Sequence, residues 1–217
     1  MIFRVAGGAL GVIATGAAAL TVFGSHRAAL PFYRTAALTP EWIAASAPEY
    51  SSIHRVADFA LLDQRGVPVT EDSVAGRVYV ASFFYSDCRQ LCPRLKSSLS
   101  RVQNAFRDSP DVLILSHTVF PEVDDTARLD AYAAANGVVA SKWHLLTGRR
   151  DIIERLARES YFVELSDTTG NTQGRLLHTE TLVLVDQERR IRGVYDGSVP
   201  FDVDRLIEDI RVLQARR

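Results

Sequence analysis

The chain has 217 residues, 47% hydrophobic and 24% charged, with 25 Lys and Arg against 26 Asp and Glu. This composition excludes a disordered chain, and a formal charge of −1 excludes the basic surface expected of a general nucleic-acid binder. Two cysteines are too few for a disulfide-rich scaffold or a four-thiolate metal site.

The N-terminal part contains an uncharged segment of 21 residues, Val5 to Ser25, close to the roughly 20 that a helix needs to span a bilayer. Eleven of these residues are Gly or Ala, and the segment ends in small residues. A cleavable signal peptide therefore fits residues 1–24 as well as a membrane anchor does. Either way, we expect the rest of the chain to lie outside the cytoplasm, on the periplasmic side. If the segment is retained, residues 5–24 hold the chain in the membrane.

Residues 25–53 mix Ala, Pro, Ser and aromatic residues without a regular period, which predicts a stalk. A short helix could begin at Thr39 and Pro40, since Thr can cap a helix and Pro fits its first turn. From residue 54 the pattern becomes regular, so residues 54–217 are predicted to form the folded domain.

Short apolar runs alternate with helical patterns through this domain. The predicted strands are Phe59–Leu62, Arg77–Tyr85, Val112–Ser116, Trp143–Leu146, Thr179–Val185 and Ile191–Tyr195. The predicted helices follow Cys88, cover Thr126–Asn136 and Asp151–Ser160, and close the chain at Val203–Leu213. This order is typical of an α/β sandwich with a mixed sheet.

The two cysteines, Cys88 and Cys92, lie where a buried strand ends and a helix begins, an arrangement typical of the thioredoxin fold. A helix N-terminus and the neighbouring Arg89 both favour thiolates. Such a pair can cycle between dithiol and disulfide or bind a soft metal such as Cu(I). A purely stabilising disulfide is a third possibility, but a loop this small gains little chain entropy.

The stretch FFYSDCRQLCPRL, residues 83–95, contains a CxxxCP motif and resembles the SCO/SenC family of copper-binding proteins that assist assembly of cytochrome c oxidase. Further similar stretches are SHTVFPEVDD from Ser116, WHLLTG from Trp143, LLHTETLVLVD from Leu176 and RGVYDG from Arg192. The resemblance covers residues 55–213 and implies a thioredoxin-like fold.

The resemblance also implies the copper ligands Cys88, Cys92 and His178, holding one copper ion per chain as Cu(I), Cu(II) or both. The implied function is that of a metallochaperone that delivers copper to a cytochrome oxidase copper site. The alternative is a thiol:disulfide oxidoreductase in which Cys88 and Cys92 keep the cysteines of an oxidase subunit or another exported protein reduced. Two positions depart from the family pattern: Arg89 replaces the usual Pro, and Phe120 stands where Asp is common.

Other polar residues have simpler interpretations. His117 ends a buried strand, where a hydrogen-bonding role is favoured over an influence on the cysteines. Glu122, Asp124 and Asp125 precede a helix, whose N-terminal dipole favours carboxylates. His144 is predicted to lie on the surface, and His26 and His54 belong to no recognisable site.

Overall fold

The computed structural model describes residues 29–87, 92–163 and 180–215, without the side chains of Cys92 and Pro93. Within these ranges the elements are β1 (Ala60–Leu62), β2 (Pro68–Thr70), α1 (Glu71–Val74), β3 (Val78–Phe84), α2 (Cys92–Ala105), β4 (Val112–Thr118), α3 (Thr126–Asn136), β5 (Trp143–Leu146), α4 (Arg150–Arg155), β6 (Thr181–Val185), β7 (Ile191–Asp196) and α5 (Pro200–Gln214). A short 3₁₀-helix covers Pro48–Ser52, and α4 continues as one π-helical turn over Leu156–Ser160.

Five strands form the central sheet in the order β5-β4-β3-β6-β7. Strands β3, β4 and β5 are parallel, whereas β6 runs antiparallel to both β3 and β7. Every residue of β3 and β4 is buried, as expected for inner strands covered on both faces. The mixed sheet predicted from the sequence is therefore confirmed.

Helices cover both faces of this sheet. Apolar residues of α2, α3 and α5 pack with Val78, Val80 and Phe84 on one face. On the other face, Tyr79, Ala81 and Phe83 pack with α4 and with the hairpin formed by β1 and β2. Alternate residues of β3 therefore serve two separate cores, because successive side chains of a strand point to opposite faces.

The outer edges of the sheet are covered. Gln64, in the turn between β1 and β2, donates to Trp143 O at 3.0 Å and accepts from Leu145 N at 2.9 Å along the edge of β5. At the other edge, Tyr33 N donates to Ile191 O of β7 at 3.1 Å. Both contacts occupy backbone groups that could otherwise form hydrogen bonds with a strand of another chain.

The described part of the predicted stalk contacts β7. Arg192 donates to Leu30 O at 2.5 Å and Pro31 O at 2.9 Å, and its guanidinium lies 3.9 Å from the centre of the Phe32 ring. Phe32 itself is buried. These contacts hold residues 30–32 against the domain.

The short helix expected at Thr39 and Pro40 is wrong. Glu41 instead exchanges two backbone hydrogen bonds with Phe32, at 2.8 and 2.9 Å, which occupy groups that a helix would need. The short helix of this region lies further on, at Pro48–Ser52.

Other differences concern short elements and ends. Strand β2 and helix α1, three and four residues long, lack a readable period and were not predicted. The final helix begins at Pro200, three residues before its predicted start. No helix within the described ranges is long and apolar enough to cross a bilayer, and residues 1–24 lie outside those ranges.

Candidate functional site

The predicted metal ligands lie at the margins of what the structure describes. Cys88 and His178 fall outside the described residues, and of Cys92 only the backbone, at the first position of α2, is described. The site can therefore be built from the segments that flank these three residues. The described flanks are Tyr85–Asp87 before Cys88, α2 after it, and Glu180 after His178.

A buried carboxylate holds the segment that leads to Cys88. Asp124 Oδ2 accepts from Ser86 N at 3.1 Å and from Thr118 Oγ1 at 2.5 Å, and its Oδ1 accepts from the Ser86 hydroxyl. The Asp124 side chain has no solvent exposure. It thus links the end of β4 to the residue two positions before Cys88.

Arg128 supports the same segment from α3. Its Nε donates to Ser86 Oγ at 2.9 Å and lies 3.5 Å from Asp124 Oδ1, and its Nη2 lies 3.8 Å from Asp87 Oδ2. The Arg128 cation therefore partly compensates the buried charge of Asp124. These roles of Ser86, Asp124 and Arg128 were not predicted, although the four-residue spacing of Asp124 and Arg128 in the sequence is typical of an ion pair.

The three neighbouring carboxylates have different roles. Asp125 is the N-cap of α3 and accepts from Arg128 N at 2.8 Å, as the helix-dipole interpretation predicts. Glu122 is paired with Arg150, whose hydrogen bonds lower the pKa of Glu122. For Asp124 the helix-dipole interpretation was incomplete, because its oxygens accept hydrogen bonds from Ser86 in the loop after β3 and from Thr118 at the end of β4.

An aromatic contact provides a second support for the loop. The ring of Phe120 lies 4.6 Å from that of Tyr85, the first residue after β3, with an interplanar angle of 56°. The Arg150 guanidinium lies 5.7 Å from the centre of the Phe120 ring. Phe120, one of the two departures from the family pattern, therefore packs against the segment that leads to Cys88.

Gly197 joins the other two flanks. Its N donates to Glu180 O at 2.7 Å, and its carbonyl accepts from Ser98 Oγ of α2 at 2.7 Å. A Cβ added at Gly197 would lie 2.6 Å from Leu95 Cδ1 and 3.0 Å from Glu180 O, so only glycine fits without displacement. Through this residue, the helix that begins at Cys92 is connected to the segment that begins two positions after His178.

The pairing of β3 with β6 also brings the residues next to Cys88 and His178 to one end of the sheet. Ala81 pairs with Val183 and Tyr79 with Val185 in the antiparallel ladder of β3 and β6. The start of β6 therefore lies towards the carboxyl end of β3, from which the cysteine loop emerges. The described residues closest to Cys88 and His178 in sequence, Asp87 after β3 and Glu180 before β6, thus lie at one end of the sheet, where α/β folds place their sites.

His117 is a core residue. Its Nδ1 is 3.2 Å from Ser82 O, and its ring stacks on Phe83 with centroids 5.0 Å apart. Complete burial lowers the pKa of His117 to about 4, so its imidazole is neutral near pH 7. The favoured hydrogen-bonding role is observed.

His144 is not a surface residue, contrary to the prediction. Its side chain is mostly buried, and its Nδ1 lies 3.3 Å from Asp63 Oδ2. Burial lowers the pKa of His144, against the opposing effect of the Asp63 hydrogen bond. The turn after β1 covers β5, and this tertiary contact leaves no periodic signal in the sequence. His54 contacts Ser160 O at 2.8 Å, and His26 lies outside the described residues.

Within the described ranges, no three His, Cys, Asp or Glu side chains are grouped to share a metal ion.

Comparison with known proteins identifies the family. Residues 48–214 match the SCO1/SenC family. The chain belongs to this family. The SCO1 protein homolog of Bacillus subtilis is 27% identical to it over 160 residues, which cover 73% of this chain and 82% of the relative.

Solved structures of the family share the fold. BsSco, a member of the Sco family of cytochrome c oxidase assembly proteins in which a disulfide switch was identified, has 25% identity and a TM-score of 0.66, covering 76% of this chain and 95% of BsSco. ScoI of Bradyrhizobium japonicum, determined with copper bound, has 24% identity and a TM-score of 0.60, covering 73% of this chain and 99% of ScoI. The second comparison shows the fold, which agrees with the predicted thioredoxin-like sandwich.

Proposed function

We propose that this chain binds one copper ion at Cys88, Cys92 and His178 and delivers it to a copper site of cytochrome oxidase outside the cytoplasm. The observation that carries the proposal is the connection through Gly197, which ties α2, beginning at Cys92, to the segment beginning two residues after His178. Membership of the SCO1/SenC family supports it.

The proposed ligands suit copper chemically. Two thiolates and one imidazole form a donor set that is soft enough for Cu(I) and also accepts Cu(II). The α2 N-terminus favours the thiolate form at its first residue, Cys92, before any metal binds. Because copper here is cargo, the protein must also release it, and ligand exchange with the cysteines and histidines of an acceptor site provides a route.

The surroundings fit a preorganised loop. The hydrogen bonds of Asp124 fix Ser86, and the Phe120 ring fixes Tyr85, before the chain reaches Cys88. A loop held at its entrance loses less conformational freedom on binding a ligand. The contacts of Ser86 and Tyr85 would therefore favour tight copper binding by Cys88, Cys92 and His178.

The ligand set can be tested by anaerobic titration of the reduced full chain with Cu(I) against a chromophoric chelator. We expect one copper per chain, with affinity at least about tenfold weaker in Cys88→Ser and His178→Ala, a loss of about 1.4 kcal/mol or more. His144→Gln is the matched control, because His144 lies on β5 at the far edge of the sheet, and it should bind like the unaltered protein. Undiminished binding by Cys88→Ser would exclude the proposed site.

The disulfide switch identified in BsSco favours a second candidate function. In a thiol:disulfide oxidoreductase, Cys88 and Cys92 would pass two electrons and two protons to a partner disulfide and become a disulfide themselves. His178→Ala separates the two functions. It should abolish copper transfer to an apo acceptor, whereas reduction of a disulfide-bonded acceptor peptide should continue. Both functions can coexist, since copper binding requires reduced thiols.

The proposed location rests on the sequence. The uncharged segment Val5–Ser25 would direct the domain to the periplasmic side, as a membrane anchor or as a cleaved signal peptide. Detection of the segment in protein isolated from membranes would establish the anchor, and a mature N-terminus near residue 25 would establish cleavage.

A further inference from the structure

Two large aromatic side chains are exposed on one side of the molecule. Trp42 is 64% exposed and Phe201, at the start of α5, is 69% exposed. Both border the same groove of about 550 Å³, which runs along β7 and α5. Because both rings border one groove, they form an exposed apolar patch, and such patches mark contacts with proteins or membranes.

The position of Trp42 indicates what that surface is. Its Nε1 donates to Ala29 O at 3.2 Å, so the polar end of the indole is bound to the first described residue of the chain. Ser25, the last residue of the 21-residue uncharged segment, precedes Ala29 by only four positions. Four residues span at most about 14 Å, so a membrane anchor would hold Trp42 close to the bilayer.

We propose that the surface bearing Trp42 and Phe201 rests on the lipid bilayer at the level of the headgroups. Tryptophan is enriched at this depth of membrane proteins, because its ring enters the apolar boundary while its N–H keeps a polar partner. The inference goes beyond the copper function and would orient the domain on the membrane that carries the oxidase.

The charges around the groove determine which lipid is needed. Two basic residues, Arg192 and Arg205, and two acidic residues, Glu208 and Asp209, line the groove. Arg205 Nη1 also lies 3.3 Å from Asp202 Oδ1, so the positive charge is locally balanced. Insertion of the two aromatic rings, and not attraction to anionic lipid, is therefore the main contribution to membrane binding. Vesicles of phosphatidylcholine should be sufficient.

Quenching by brominated lipid tests the proposal. The full chain is reconstituted into phosphatidylcholine vesicles brominated near the headgroup end of the acyl chains, and tryptophan emission is compared with that in unbrominated vesicles. The chain has two tryptophans, and the other, Trp143, is buried in the protein. We expect emission to fall by at least one third in the unaltered protein and not at all in Trp42→Phe.

Two variants make the test specific. Adding Val139→Trp to Trp42→Phe moves the exposed indole to the loop before β5, across about 19 Å of sheet from β7, and should remove the quenching. Phe201→Ser should weaken the quenching of Trp42 about twofold or more, since it removes the second ring.

Two results of the quenching experiment would overturn the proposal. Unchanged emission from the unaltered protein overturns the proposal, whether the chain floats with the vesicles or stays in solution. Equal quenching of tryptophan at positions 42 and 139 also overturns it, because the domain then has no preferred side. Copper titration of the same samples reports separately on the metal site, so failure of one proposal is distinguishable from failure of the other.

Discussion

Asp124→Asn tests the structural role of the buried carboxylate beside the cysteine loop. The substitution preserves shape and leaves one oxygen, which can still accept from Ser86 N and Thr118 Oγ1. The new amide group faces the Ser86 hydroxyl, which donates to Asp124 Oδ1 in the native arrangement, and Arg128, whose Nε lies 3.5 Å from that oxygen. One charge-assisted hydrogen bond and the ion pair with Arg128 are therefore lost.

A hydrogen bond to a charged group contributes about 1.5–3 kcal/mol, so we expect Asp124→Asn to lower the free energy of unfolding by about 2 kcal/mol. Asp124→Ala should cost more, about 3–5 kcal/mol, because the Ser86 N–H and the hydroxyls of Ser86 and Thr118 all lose their acceptor and Arg128 loses its ion-pair partner. Urea unfolding at pH 7 measures both values. Loosening of Ser86 should also weaken Cu(I) affinity.

Asp125→Asn is the matched control, because Asn caps a helix as well as Asp does and Asp125 is exposed. Its free energy of unfolding and its copper affinity should both stay close to those of the unaltered protein. Equal stability of Asp124→Asn and Asp125→Asn would refute the role assigned to the buried carboxylate.

Two further perturbations have defined outcomes. Gly197→Ala places a methyl group against Leu95 and Glu180 O. We therefore expect it to lower the free energy of unfolding by about 1–3 kcal/mol and to weaken copper affinity. If neither value changed, the connecting role of Gly197 would be contradicted. For His117, the pKa falls from 6.5 to about 4 on folding, so the unfolded state binds the proton more readily, and stability falls as pH drops from 6.5 to 4. The free energy of unfolding should fall by about 3 kcal/mol over this pH range, and this fall should be absent in His117→Phe. If the unaltered protein and His117→Phe had identical profiles of unfolding free energy from pH 7 to 4, burial would not shift the pKa of His117.

Much of the fold was predictable because its inner elements are strongly patterned. The buried strands β3 and β4 begin with apolar runs, and α3 is followed by Gly137, which adopts the left-handed conformation that glycine favours. The elements that were missed are short or depend on distant contacts. Glu41 pairs with Phe32, and the turn after β1 covers β5; neither contact produces a local period.

The ligands proposed for the candidate site come from the resemblance of the CxxxCP motif and of the segment around His178 to the SCO/SenC family, whereas the residues that support the site were not predicted. Asp124 is one of three carboxylates close together in sequence, and only the fold shows that it alone of the three is buried against Ser86. Similarly, Gly197 is one of 13 glycines, and its role follows from its close approach to Leu95 of α2 and to Glu180.

X-ray absorption at the copper edge would identify the atoms that bind copper in this protein. For the reduced full chain loaded with one equivalent of Cu(I), we expect copper to be bound by two sulfur atoms and one nitrogen atom, with one sulfur lost in Cys88→Ser and the nitrogen lost in His178→Ala. A shell of oxygen and nitrogen atoms without sulfur, or a shell unchanged in both variants, would contradict copper binding at Cys88, Cys92 and His178.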